Sequence, residues 1–414
     1  MAKKMTTIVI MAFLNAFILS EVKSAIDENH SHYIYGTINT DDGESYTGQI
    51  RWGKEEAFWY DYFNSTKLEN DNLIHLSRQE LKDLDRKDSW VSTSWFGWTR
   101  RHSYNYNNHT HSFKCQFGDI KSIEPQRGSR VKVELKNGET IRLSGGSNDI
   151  GVIVRIHDSE LGMVKIDWDN ISDITFSSAP ANLESAYGGP LYGTVETTSG
   201  DFTGYIQWDH DERMADDELN GDTKGGELDI PFGKILKIEK NYRGSEVTMQ
   251  SGRTFNLHGT NDVDDDNRGI IVNILGMGRV DIPWDEFLEV TFEHESNNQA
   301  NWPDNSNSQQ LNGTVTTLDG SNYSGDMIFD LDEYYDMEIL DGKNDGIEYF
   351  FPFRYIRSIK PKNDRATYVT LQNGEKILLE DSVDVTEDND GVLVKNDGED
   401  YKYIPWSEVE EIKF

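Results

Sequence analysis

Two acidic loops hold the spacings in this chain that come nearest to chemistry. "GTNDVDDDNRG" (259–269) sets Asp262, Asp264 and Asp266 at alternate positions before Asn267 and Gly269. "EDSVDVTEDNDG" (380–391) sets Asp384, Thr386, Asp388 and Asp390 in the same way before Gly391. Hard cations such as Ca2+ take about six to eight oxygens, and alternate carboxylates on a tight Gly-ended loop can wrap one. Asp262, Asp264, Asp266, Asn267, Asp384, Asp388 and Asp390 are therefore the candidate metal ligands, with Ca2+ as the ion. Neither loop has EF-hand spacing, so a solvated acidic turn is the competing reading. The corresponding loop nearer the N-terminus keeps Asp149 but has Gly151 soon after it, so a site there is not expected.

A second acidic column recurs in "WGKEEAFWYDYFN" (52–64), "WDHDERMADDELN" (208–220) and "FDLDEYYDMEILD" (329–341). The pairs Glu55/Glu56, Asp211/Glu212 and Asp332/Glu333 are followed by Asp61, Asp217 and Glu338. Paired carboxylates perform acid–base hydrolysis when their surroundings split their pKa values. Threefold recurrence is explained more simply as inherited structure, so no catalytic residue is assigned. His30, His32, His102, His109 and His111 include His-x-His pairs that suit Zn2+ or Cu2+, but the sequence supplies no third ligand.

A different chemistry lies in "WVSTSWFGWTRRHSYNYNNHTHSF" (90–113). Trp90, Trp95, Phe96, Trp98, Tyr104 and Tyr106 stand beside Arg100 and Arg101. Exposed aromatics with arginine stack on sugar rings or peptide segments, which makes these eight residues the candidate partner or glycan surface. The competing reading is a lid folded over the first part of the chain. Ahead of it, "LSRQELKDLDRK" (76–87) predicts a short helix capped by Ser77, with Glu80 three residues on.

Composition excludes several classes. Against 40 Lys and Arg stand 74 Asp and Glu, a net charge of −34 that repels phosphate backbones and anionic lipid, so nucleic acid is not an expected partner. There is no Gly-x-Ser-x-Gly elbow, His-Glu-x-x-His, P-loop, post-strand Gly-x-Gly-x-x-Gly or Cys-x-x-Cys pair, and nothing asks for an enzyme.

The elements that carry these loops form a nested repeat. "YGTINTDDGESYTGQIRW" (35–52), "YGTVETTSGDFTGYIQW" (192–208) and "NGTVTTLDGSNYSGDMIF" (312–329) open three units. "VKIDWDNISDITF", "VDIPWDEFLEVTF" and "KYIPWSEVEEIKF" close them. The units run 33–176 (with an insertion over 64–113), 191–292 and 311–414, joined by linkers at 177–190 and 293–310. Each unit is itself doubled: Gly200 and Gly252 lie 52 residues apart, as do Pro231 and Pro283.

Six hairpin turns follow, at Asp42-Gly43, Asn137-Gly138, Ser199-Gly200, Ser251-Gly252, Asp319-Gly320 and Asn373-Gly374, because Gly tolerates the positive φ of tight turns. An aromatic with apolar residues three and six later, such as Trp284/Phe287/Val290, reads as one short helical turn leading into a strand. The recurring Trp is thus core rather than a ligand platform. The expected fold is all-β: tandem small SH3- or Sm-like β-barrels, six half-units in three pairs, with a single six-bladed β-propeller as the alternative.

Lys3 and Lys4, the apolar run Ile8–Leu19 and the small residues Ser24 and Ala25 describe a secretory signal peptide over 1–25, with no membrane span after its removal. A periplasmic or secreted location follows. Cys115 is the single cysteine and reads as a small buried hydrophobe; no intramolecular disulfide can form. Together these features imply an exported, non-catalytic binding or scaffolding module with a protein or glycan partner, stabilised by Ca2+. The alternative is a carbohydrate-binding or polysaccharide-active protein using the aromatics of 90–113.

Overall fold

The structure, a computed structural model, describes residues 32–68, 70–88, 112–145, 149–180, 183, 185–293, 308–395 and 400–414. The signal-peptide segment and most of the 293–310 linker lie outside them. The described chain is all-β. In the first unit the strands are β1 (Tyr35–Thr40), β2 (Ser45–Trp52), β3 (Tyr62–Lys67), β4 (Ser112–Gln116), β5 (Ile120–Gln126), β6 (Arg130–Leu135), β7 (Thr140–Ser144), β8 (Val154–Asp158), β9 (Gly162–Ile166) and β10 (Ile171–Phe176). Helix α1 (Arg78–Asp88) lies between β3 and β4.

All six Gly turns form hairpins, with φ of 91° at Gly43, 92° at Gly138 and 141° at Gly200. The aromatic at spacing three starts a single 3-10 turn, as at Phe117–Asp119, Trp168–Asn170 and Trp406–Glu408, and its ring is buried. Trp168, Trp284 and Trp406 are core residues, between 4% and 7% exposed. The helix cap is reciprocal: Ser77 N donates to Glu80 Oε2 at 2.6 Å, and Glu80 N donates to Ser77 Oγ at 3.3 Å.

The expectation of closed barrels fails. The ten strands make one open antiparallel sheet in the order β4-β3-β7-β6-β5-β10-β1-β2-β8-β9. The hairpin β3–β4 pairs with β7 of the other half-unit, and β8–β9 pairs with β2. Hairpins are thus exchanged between half-units, and the central pairing β5–β10 (Ile123↔Ile174) joins the two five-stranded groups. In the turn after β2 the Asp61 carboxylate accepts the amides of Ala57 and Phe58, both at 2.8 Å. From that turn the chain leaves towards the neighbouring half-unit, where β3 pairs with β7.

Strands of the third unit follow the corresponding order, and the second and third units join where Gly278–Ile282 pairs with Ile347–Pro352 (Val280↔Tyr349). The glycines of the opening motifs face one another across the first hairpin: Gly36↔Gly48, Gly193↔Gly204 and Gly313↔Gly325. A Cβ on Gly193 would overlap the Thr291 carbonyl oxygen of the flanking strand. Only glycine admits the flanking strand so closely.

Buried charge ties the units together. Arg213 meets Asp61 with side chains 2% and 0% exposed, and its guanidinium lies 5.8 Å over the Phe58 ring. Lys67 pairs with Glu338 at 2.5 Å and Asp332 at 3.5 Å, and Arg354 pairs with Asp119 at 2.6 Å. The lid reading falls on 90–113, of which 90–111 lie outside the described residues; the described helix ahead of it packs elsewhere. Leu76 and Leu84 instead pack against Ile328, Leu331, Leu393 and Tyr403 of the third unit.

Candidate functional site

The two acidic series that are separate in sequence meet in space. In the second unit the strand Gly200–Trp208 ends in a tight turn closed by Asp211 N donating to Trp208 O at 3.0 Å. Asp209 and His210 both take positive φ there, 46° and 61°. This conformation is costly for non-glycine residues and persists only where the surroundings enforce it. The enforcement is visible: Asp209 accepts from Arg268 N at 2.6 Å and from Arg268 Nη2 at 3.1 Å, and also from Asn261 Nδ2. The loop 259–269 crosses above and is pinned by Trp208 Nε1, which donates to Asp262 O at 2.8 Å.

Asp209, Glu212 and Asp262 consequently converge, each offering an oxygen within 4.8 Å of the others. Asp209 is fully buried and Asp262 is 4% exposed. Asp262 Oδ2 accepts from Asn220 N at 2.7 Å, while Glu212 Oε2 is buried without a hydrogen-bond partner. Burial, reinforced by Asp262 and Asp211, pushes Glu212 up to about 8. Burial raises Asp262 to about 6, against the opposing Asn220 amide. Three carboxylates could supply up to about half the oxygens that a hard cation takes, and such an ion would compete with the protons held there and with Arg268 at Asp209.

Several of the other acidic residues serve the backbone. Asp149 and Asp384 repeat the Asp262 bond, accepting from Asn64 N at 2.5 Å and Asp341 N at 2.8 Å. Asp217 accepts from Arg213 N and Met214 N at 2.9 and 3.0 Å, as Asp61 does in its own turn, and Glu338 accepts from Tyr334 N and Tyr335 N. Glu56 and Glu333 are buried carboxyls held well above the usual range, chiefly by desolvation, and Asp149 is raised to about 7 for the same reason.

Of the candidate ligands, Asp262 alone belongs to the converging group. Asp264 spends its oxygens on Gly259 N (3.2 Å) and Asp266 N (3.2 Å) of its own loop. Asn267 accepts from Gly269 N at 2.9 Å and donates to Asp262 O at 3.4 Å. Asp390 donates its amide to Asp330, Asp388 remains partly exposed, and Asp384 is bonded to its neighbouring strand. Among the described residues no second group meets the spacing of the Asp209 cluster.

Asp209 was the missed member. Its signal is a position after the strand-ending aromatic where the first unit has Gly53, at φ 58°. An aspartate standing where glycine is the unstrained choice marks a constrained carboxylate. Trp90, Trp95, Phe96, Trp98, Arg100, Arg101, Tyr104 and Tyr106 lie outside the described residues. Among the described residues no helix is long and apolar enough to cross a membrane.

No protein-family model matches the chain and no curated protein matches it. A streptogramin B lyase structure is similar at 12% identity over 72% of this chain and 93% of that chain, with a TM-score of 0.10, which carries no argument about fold or activity.

Proposed function

We propose that this chain is an exported, non-catalytic binding and scaffolding protein whose β-framework is steadied by Ca2+ at Asp209, Glu212 and Asp262. The observation that carries the reading is the use made of the acidic residues. The carboxylate that follows each acidic pair, Asp61, Asp217 or Glu338, is bonded to backbone amides at corresponding positions in all three units, which supports a structural use of that column. The one convergent set among the described residues has a buried oxygen, Glu212 Oε2, with no protein donor. Five strands in each group, two of them supplied by the other half-unit, support the SH3- or Sm-like reading over four-stranded propeller blades. The aromatic segment 90–113 is the partner surface in this reading. Carbohydrate binding through the same aromatics is the second reading.

The test is a thermal melt in EDTA, then in Ca2+ and in Mg2+ at equal ionic strength. A ligand bound only by the native state adds about 2.7 kcal/mol at a hundredfold excess over its Kd. A Ca2+-selective rise absent in Glu212→Gln supports the site, and equal melting in all three buffers refutes it. For the partner surface, residues 89–111 are replaced by a short Gly-Ser linker, leaving Lys67 and α1 in place. Binding to a glycan array should disappear with the melting temperature unchanged.

A further inference from the structure

A cleft of about 560 Å³ opens where α1 stands against the third unit. Its apolar lining includes Leu84, Leu318, Pro361 and Trp406. Carboxylates from both sides form its rim: Glu80 and Asp83 on α1, Asp364 and Glu387 on the third unit. Lys362 is the one basic residue among the described lining residues, and its ammonium is turned over the Tyr368 ring at 5.7 Å. Four carboxylates against one ammonium give the rim a net charge of −3.

The second unit shows what this place accepts. Lys240 lies two residues beyond Ile238, on the strand beside Trp284. Its ammonium stands 5.3 Å from the Trp284 ring centroid and donates to Trp284 O at 2.5 Å. An alkyl stem and an ammonium thus cover the tryptophan from within the chain. In the third unit the corresponding position, two beyond Ile359, is Pro361, which has neither stem nor charge. The cleft borders Trp406 at this point. The first unit also has proline at the corresponding position, Pro125, but α1 packs on the third unit, so its acidic wall rises beside Trp406.

We propose that the cleft binds a cationic ligand with an apolar stem, an alkylammonium group that takes over Trp406 the place Lys240 takes over Trp284. The stem lies along Leu318, Pro361 and Leu84, and the charge meets the rim carboxylates. A cleft of this volume is of ordinary small-ligand size. The group is either a free amine or a lysine side chain of a partner protein. The assignment rests on neither the Ca2+ cluster nor residues 90–113, so it stands or falls separately.

The experiment is calorimetric titration of the whole chain with cadaverine, with an end-blocked Leu-Lys-Leu-Lys peptide, and with pentanol and cellobiose as neutral probes. An amine probe should bind where pentanol does not, and more weakly as salt rises. Pro361→Lys, which supplies the missing internal stem, should weaken binding at least about tenfold without lowering the melting temperature. Asp364→Asn/Glu387→Gln, both on exposed loop positions, should weaken it comparably. Binding of cadaverine identifies a free amine, and binding of the peptide alone identifies a partner's lysine. Amine binding unchanged in both variants, no binding of either amine, or preferential binding of cellobiose would overturn the proposal.

Discussion

Removing the charge of Glu212 should change how stability depends on pH. In the folded chain burial and the neighbouring carboxylates hold Glu212 at about 8, against an ordinary value of 4.5. Between those values the folded chain keeps a proton that the unfolded chain has released. The stabilising contribution is therefore fully present below about pH 4.5 and is lost as pH rises through about 8. At about 1.4 kcal/mol per unit the full shift would correspond to roughly 5 kcal/mol, and partial solvent exposure reduces this to about 2–3 kcal/mol. Glu212→Gln cannot ionise, and its Oε2 position has no hydrogen-bond partner to lose. Denaturant titration in EDTA at about pH 5 and about pH 8 should show wild type losing about 2–3 kcal/mol more than the variant over that interval. Glu56, Glu333 and Asp149 contribute a slope common to both proteins, so the difference reports Glu212 together with its coupling to Asp262. Ca2+ should flatten the wild-type slope, since the ion binds the deprotonated cluster. Parallel pH profiles for the two proteins would refute the assignment of a buried, proton-holding carboxyl at this position.

Two further outcomes test the framework. Arg213→Met leaves Asp61 buried and uncompensated and should cost about 3–5 kcal/mol in a urea titration; adding Asp61→Asn should recover part of that loss. No recovery would mean the two side chains do not interact. Gly193→Ala drives a Cβ into the Thr291 carbonyl and should cost more than about 2 kcal/mol. Gly252→Ala, at φ 80° with nothing nearby, should cost about 1 kcal/mol from backbone strain alone. Equal costs at the two positions would remove the close-approach explanation for the facing glycines.

The sequence by itself determined what is local. Six Gly turns, the aromatic 3-10 turns and the cap of α1 follow from φ preferences and short-range spacing, which a linear reading contains. The fate of Trp284 was legible too, because apolar partners at fixed offsets can only be satisfied in a core. Pairing between half-units was not legible. A barrel closed on itself and an exchange of hairpins use the same strands with the same alternation, so alternation alone does not choose between them. The acidic cluster was half visible for a related reason. Asp262 and Glu212 stood out in separate series 50 residues apart, and only the crossing of one loop over another turn, through the Trp208–Asp262 bond, placed them together with Asp209. The cleft beside Trp406 depended entirely on tertiary structure, since α1 is encoded in the first unit and packs on the third. Periodicity fixes which face of an element is apolar, but not which distant element will cover it.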